Sequence, residues 1–100
     1  IGAIEKCLQK TAWKISDVDL FEINEAFAVV SLASIQSLKL DPARVNIHGG
    51  ACVLGHPIGA SGARIVVTLI HALKIQGGKR GIAALCIGGG EATALAVELV

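Results

Sequence analysis

The stretch HGGACVLGHPIGASGAR, His48 to Arg64, holds five of the chain's twelve glycines and two of its three histidines, with no acidic residue. It has two readings. It is a tight structural loop, or it is a place where backbone and imidazole both come close to a ligand. Its flanks decide the fold. RVNI (44–47) before it is a short strand-like run. After it, Ser61 can cap a helix whose apolar positions Ile65, Val66, Leu69, Ile70 and Leu73 form one stripe. Gly77-Gly78 ends that helix, as expected where a left-handed residue is needed. The glycine stretch is therefore a strand-to-helix connection.

The same alternation runs outward in both directions. Ala3, Ile4, Cys7, Leu8 and Thr11 recur at helical spacing and predict an amphipathic helix over about residues 2–12. DVDLFEI (17–23) reads as a buried strand. EAFAVVSLASIQSLKL (25–40) is apolar on most sides and reads as a largely buried helix, stopped by Asp41-Pro42. GIAALCI (81–87) and TALAVELV (93–100) are two more strands around Gly88-Gly89-Gly90 and Glu91. The order α-β-α-β-α-β-β implies an α/β fold: a mixed sheet with helices on both faces, its parallel strands closed by an antiparallel hairpin.

Composition agrees and narrows the function. One hundred residues make one domain, 1–100, and the 53% apolar content includes only three aromatics, so the core rests on Ala, Val, Ile and Leu. The net charge is +1 with scattered basic residues, which leaves no phosphate-backbone footprint and argues against nucleic acid. No apolar run reaches about 18 residues, so no membrane span is expected. Cys7, Cys52 and Cys86 are odd in number and lack metal-ligand spacing, so neither a disulfide framework nor a metal site is expected.

Ligands of open α/β sheets bind beyond the carboxyl ends of the strands. Three such ends carry distinctive residues: INEAF (23–27), HGGACVLGHP (48–57) and CIGGG (86–90). Asn24 alone reads as a helix cap, with a hydrogen-bond donor as the alternative. His56 sits between Gly55, which permits close backbone approach, and Pro57, which fixes its own φ. Structure and function stand level for it. Cys86 ends a buried strand, which favours packing, but three following glycines bare their amides for an anion. A thiol beside an imidazole and bare amides suits base or nucleophile chemistry. Cys7 and Cys52 read as packing residues. The glycine stretch has neither the G-x-x-x-x-G-K-[ST] nor the G-x-S-x-G pattern.

At these residues the chain resembles the C-terminal end of the thiolase family. NEAFA (24–28), GGACVLGHPIGASGAR (49–64) and CIGGG (86–90) match three family motifs in order and spacing, and the resemblance covers essentially the whole chain. Within the family it is most similar to the acetoacetyl-CoA thiolases. The related ketoacyl synthases carry His-Gly-Thr-Gly where this chain has Asn24 in NEAF.

The resemblance implies a reaction and roles. Two acetyl-CoA would condense to acetoacetyl-CoA and CoA, or the reverse cleavage would run. Coenzyme A thioesters would be the substrates, without a cofactor. His56 would activate a nucleophilic cysteine and help form an oxyanion hole, completed by a water on Asn24. Cys86 would take the α-proton, the Gly88 N–H would serve a second oxyanion hole, and Phe27 with Ala26 would line the acyl pocket. A homo-oligomer, dimer or tetramer, is implied, in the cytoplasm or the mitochondrial matrix. The rival activities are a broader 3-ketoacyl-CoA thiolase of β-oxidation and a non-catalytic module that pairs with a thiolase chain.

The chain departs from the pattern at Glu91-Ala92, where many members carry a small or apolar residue and then Gly, and at His48, where many have Asn. The family's nucleophilic cysteine and most of its CoA contacts lie in segments not present here. The chain reads as an incomplete C-terminal domain, inactive alone, that lacks a first strand expected in the middle of the sheet. Loss of a central strand would leave two neighbours without ladder partners, so self-association, a rearranged sheet or membership of a larger assembly is expected in place of a compact monomer.

Overall fold

The computed structural model describes residues 2–24, 28–49, 61–87 and 91–100. It comprises helix α1 (Gly2–Thr11), strand β1 (Leu20–Ile23), helix α2 (Ala28–Leu38), helix α3 (Ser61–Gln76), and strands β2 (Arg80–Ile87) and β3 (Glu91–Glu98). The sheet runs β1-β2-β3, with β1 parallel to β2 and β3 antiparallel to it. The fold is α/β with helices on both faces, as expected.

Two apolar clusters form the layers. On one face, Ile4 of α1 and Leu38 of α2 pack with Phe21, Ile23, Ile82 and Ala84 of the sheet. On the other, Ile65, Leu69, Ala72 and Leu73 of α3 pack with Leu20 and Ala83. The alternation Ile82, Ala83, Ala84 sends successive side chains to opposite clusters, as a central strand buried on both faces requires.

The elements end where their chemistry says. Ala12 takes φ 58° and closes α1, while the Thr11 hydroxyl turns back to donate to the Cys7 carbonyl at 3.0 Å. Lys39 takes φ 54° and Leu40 N donates to the Ile35 carbonyl at 2.9 Å, which stops α2 at Leu38, ahead of the expected Asp41-Pro42 stop. Asp41 instead accepts from Ala43 N at 3.0 Å and caps a 3-10 turn over Pro42–Arg44. Gly77 takes φ 72° and Gly78 N donates to the Leu73 carbonyl at 3.0 Å, which stops α3.

Three further expectations need correction. The strand of DVDLFEI starts only at Leu20. Asp17 is drawn into a 3-10 turn by accepting from Lys14 N at 2.8 Å, and Asp19 accepts from Lys79 N at 2.8 Å and Arg80 N at 3.0 Å. These amides, Arg80's foremost, hold the Asp19 carboxyl below its usual range. RVNI does not form a strand. It makes an isolated bridge, Phe21↔Val45, because Asn46 at φ 48° offers its side-chain amide to β1 in place of a continued ladder.

The third concerns the absent strand, expected in the middle of the sheet. Leu20–Ile23 pair directly with Gly81–Ala84, and Arg80–Ile87 pair with Glu91–Glu98, so no strand's width is open between these neighbours. The argument for self-association from a central gap falls with it. Among the described residues, β3 lies at a sheet edge. No described helix is long and apolar enough to cross a membrane.

The contact between α3 and β2 depends on Gly81. A Cβ added there would lie 2.7 Å from Leu69 Cδ1, and Leu69 is fully buried at the centre of its cluster. Gly81→Ala is therefore expected to destabilise by about 1–3 kcal/mol through overpacking. Thermal unfolding checks this, and an unchanged midpoint would mean that α3 lifts off the sheet without penalty.

Candidate active site

The carboxyl ends of β1 and β2 lie side by side at one rim of the sheet. Ile23 is in register with Ala84, and Asn24 continues the pairing by donating its backbone N–H to the Ala84 carbonyl at 2.9 Å. Cys86 follows Ala84 by two positions on β2. Neighbouring strands stand about 4.8 Å apart and rise about 3.3 Å per residue, so this register places the two residues within a few ångströms of backbone. The parallel crossover through α3 is what aligns these two carboxyl ends.

Asn24 is 1% exposed, buried in the sheet rim. Its backbone N–H is committed to the β1–β2 ladder. On β3, Ala92 is the residue opposite Cys86, while Glu91 faces Ile87. Glu91, the residue that departs from the family pattern, is thus one register step from Cys86 along the hairpin.

His56, Gly88, Ala26 and Phe27 lie outside the described residues, as do Cys52 and the rest of 50–60. His48 is exposed, at the turn that follows Asn46. Cys7 is half-buried beside Lys6, Lys10 and the Ala92–Ala94 portion of β3, in a depression of about 230 Å³. Burial pushes its thiol up, against smaller downward pulls from the Ala96 backbone and Lys10. No cluster of metal-ligating side chains occurs among the described residues.

Three site-building residues were missed in the sequence. Glu22, 1% exposed on β1, accepts from Arg64 Nη1 of α3 at 3.0 Å. Asn46 accepts from Ile23 N and donates to Ile23 O, both at 2.8 Å. The signal available was a charged residue inside an apolar strand, Phe21-Glu22-Ile23, which is almost always paired when buried.

Comparison with known proteins identifies this architecture. A family model described as "Thiolase, C-terminal domain" matches residues 1–99, and the chain belongs to the thiolase family. It is 59% identical over 98 residues to the cytosolic acetyl-CoA acetyltransferase of Mus musculus, covering 98% of this chain and 25% of that protein. It is 55% identical over 98 residues, with the same coverage, to a probable acetyl-CoA acyltransferase of Staphylococcus aureus. The crystal structure of the Bacillus anthracis acetyl-CoA acetyltransferase superimposes with a TM-score of 0.95 at 52% identity, covering 99% of this chain and 25% of that one. Human mitochondrial 3-ketoacyl-CoA thiolase gives 0.96 at 44% identity, covering 100% and 25%. The chain spans about a quarter of the length of the curated relatives it matches.

Proposed function

We propose that this chain is the C-terminal part of an acetyl-CoA C-acetyltransferase, which condenses two acetyl-CoA to acetoacetyl-CoA and CoA or cleaves acetoacetyl-CoA with CoA. The observation that carries the reading is Asn24 and Cys86 at adjacent carboxyl ends of β1 and β2, in a chain 59% identical to a protein of that name.

The chemistry fits these residue types. Taking a proton from a thioester α-carbon needs a stronger base than a carboxylate, whose pKa is about 4, and a thiol at about 8.5 is closer. In this reading Cys86 is that base, and the Gly88 N–H faces the enolate oxygen. His56 activates the nucleophilic cysteine, which another segment of the full protein supplies, and shares an oxyanion hole with a water held by Asn24. Phe27 and Ala26 border the acyl group. Each aimed donor contributes about 10²–10³ in rate, so acid–base groups and amide donors suffice for the steps proposed. No metal or resident cofactor takes part, and the partners are acyl-CoA and further copies of the same chain.

A second reading, a 3-ketoacyl-CoA thiolase of broader chain length, rests on the superposition with the human mitochondrial enzyme. The higher identity to acetyl-CoA acetyltransferases favours the first. The relatives include a cytosolic and a mitochondrial protein, and the reading places this one in the cytoplasm, with the mitochondrial matrix as the alternative.

The test is thiolysis by the full-length protein. Acetoacetyl-CoA and CoA should give two acetyl-CoA, faster than any longer 3-ketoacyl-CoA is cleaved. Preference for longer chains would select the second reading. A folded protein that turns over none of them would leave a non-catalytic binding module.

A further inference from the structure

Segment 50–60, which carries His56, is bracketed by two contacts that the proposed chemistry does not use. Both fall on β1. Before the segment, the Asn46 side chain accepts from Ile23 N and donates to Ile23 O at 2.8 Å each, and its backbone N–H donates to the Phe21 carbonyl at 3.0 Å. Asn46 holds φ 48°, a conformation Asn tolerates better than most residues. After the segment, Arg64 in the first turn of α3 donates from Nη1 to Glu22 Oε1 at 3.0 Å. Phe21, Glu22 and Ile23 thus hold the chain on both sides of His56, and the next residue is Asn24.

Stability alone is a poor reason for this arrangement. A buried ion pair is often no better for stability than apolar side chains of the same volume. Here the carboxylate is 1% exposed between Phe21 and Ile23, and Arg64 Nη2 is buried without a hydrogen-bond partner among the described residues. What the pair and the Asn46 clamp do achieve is geometric. They fix the entry and the exit of one segment against the same three residues of one strand.

We infer that Asn46, Glu22 and Arg64 are positioning residues, which fix both flanks of the segment that carries His56 on β1, the strand that ends at Asn24. This rests on the thiolase reading above. They touch no substrate in it and act through His56 and Asn24. Displacement of a reacting group by about 1 Å can lower a rate by 10²-fold, so small slippage at either end would register in catalysis.

The experiment compares the full-length protein with Glu22→Gln, Arg64→Met, the double variant, Arg64→Lys and Asn46→Gly. The last keeps a residue at ease with positive φ and removes only the amide clamp. Acyl-enzyme formation with acetyl-CoA, its pH profile, KM and thermal unfolding are recorded for each. Glu22→Gln and Arg64→Met should each slow acylation by roughly 10²-fold with KM little changed. The double variant should lose no more than the worse single, since the two act as a unit. Asn46→Gly should slow acylation in the same direction, and Arg64→Lys should recover part of what Arg64→Met loses.

If acylation per folded molecule and its pH profile match the unsubstituted protein while the unfolding midpoint falls, these residues only brace the fold and the inference is overturned. It is equally overturned if every loss of rate equals the loss of folded protein. If the unsubstituted protein forms no acyl-enzyme, the thiolase reading itself fails and the inference goes with it.

Discussion

Replacing His56 by alanine in the full-length protein is expected to abolish the acyl-enzyme burst with acetyl-CoA. Two losses coincide in that variant. A positioned general base contributes about 10²–10⁴ in rate, and one oxyanion-hole donor about 10²–10³. A fall of about 10⁴-fold or more in acylation is the expected result, taking the lower end of each. Imidazole suits both tasks because its unperturbed pKa lies near neutrality, so it can accept a proton from a thiol and afterwards donate a hydrogen bond. The neighbours Gly55 and Pro57 carry no ionisable side chain that would compete with it. Rapid-quench measurement of the burst decides the matter, with thermal unfolding as the control for folding. A burst of normal size and rate in His56→Ala would remove the residue from the mechanism.

Much of the fold was legible because its punctuation is local. Gly77-Gly78 closes α3 with a left-handed residue, Asp41-Pro42 marks a cap, and the stripe Ile65, Leu69, Leu73 faces the core, all from spacing and side-chain chemistry. What was not legible depends on partners distant in sequence. RVNI has strand-like composition, and nothing local shows that the Asn46 amide will bond to Ile23 twenty-three residues earlier. Glu22 is a plain acidic residue until Arg64 arrives from forty-two residues away. The order of strands is likewise non-local. Motif spacing orders the residues along the chain but leaves open that β1 and β2 are direct neighbours.

The candidate site divides in the same way. Asn24 and Cys86 were chosen as strand-end residues, and the sheet does put them on adjacent carboxyl ends. That adjacency follows from a physical rule, because parallel strands joined by a crossover helix align their carboxyl ends on one rim. The assignment of separate tasks to His56, Gly88, Phe27 and Ala26 draws on the family resemblance, and those residues lie outside the described ones.

Cys86→Ser should give the opposite pattern from His56→Ala. Exchange of the acetyl-CoA α-protons in heavy water is expected to fall by about 10²–10⁴-fold, the range a positioned base contributes. The acyl-enzyme burst should persist. The reason is the ionisation of the two groups. A thiol near 8.5 reaches its basic form to a few per cent at neutral pH, whereas a serine hydroxyl stays protonated. Serine is also close to cysteine in size, and Cys86 pairs with β3 through its backbone opposite Ala92, so the hairpin should be retained. In the proposed mechanism acylation draws on His56 and Asn24, neither of which is substituted. The pair of measurements therefore separates the two half-reactions: one variant without a burst, the other with a burst and no exchange. Undiminished exchange in Cys86→Ser would mean that the thiol only packs at the end of β2, and the α-proton would need another base.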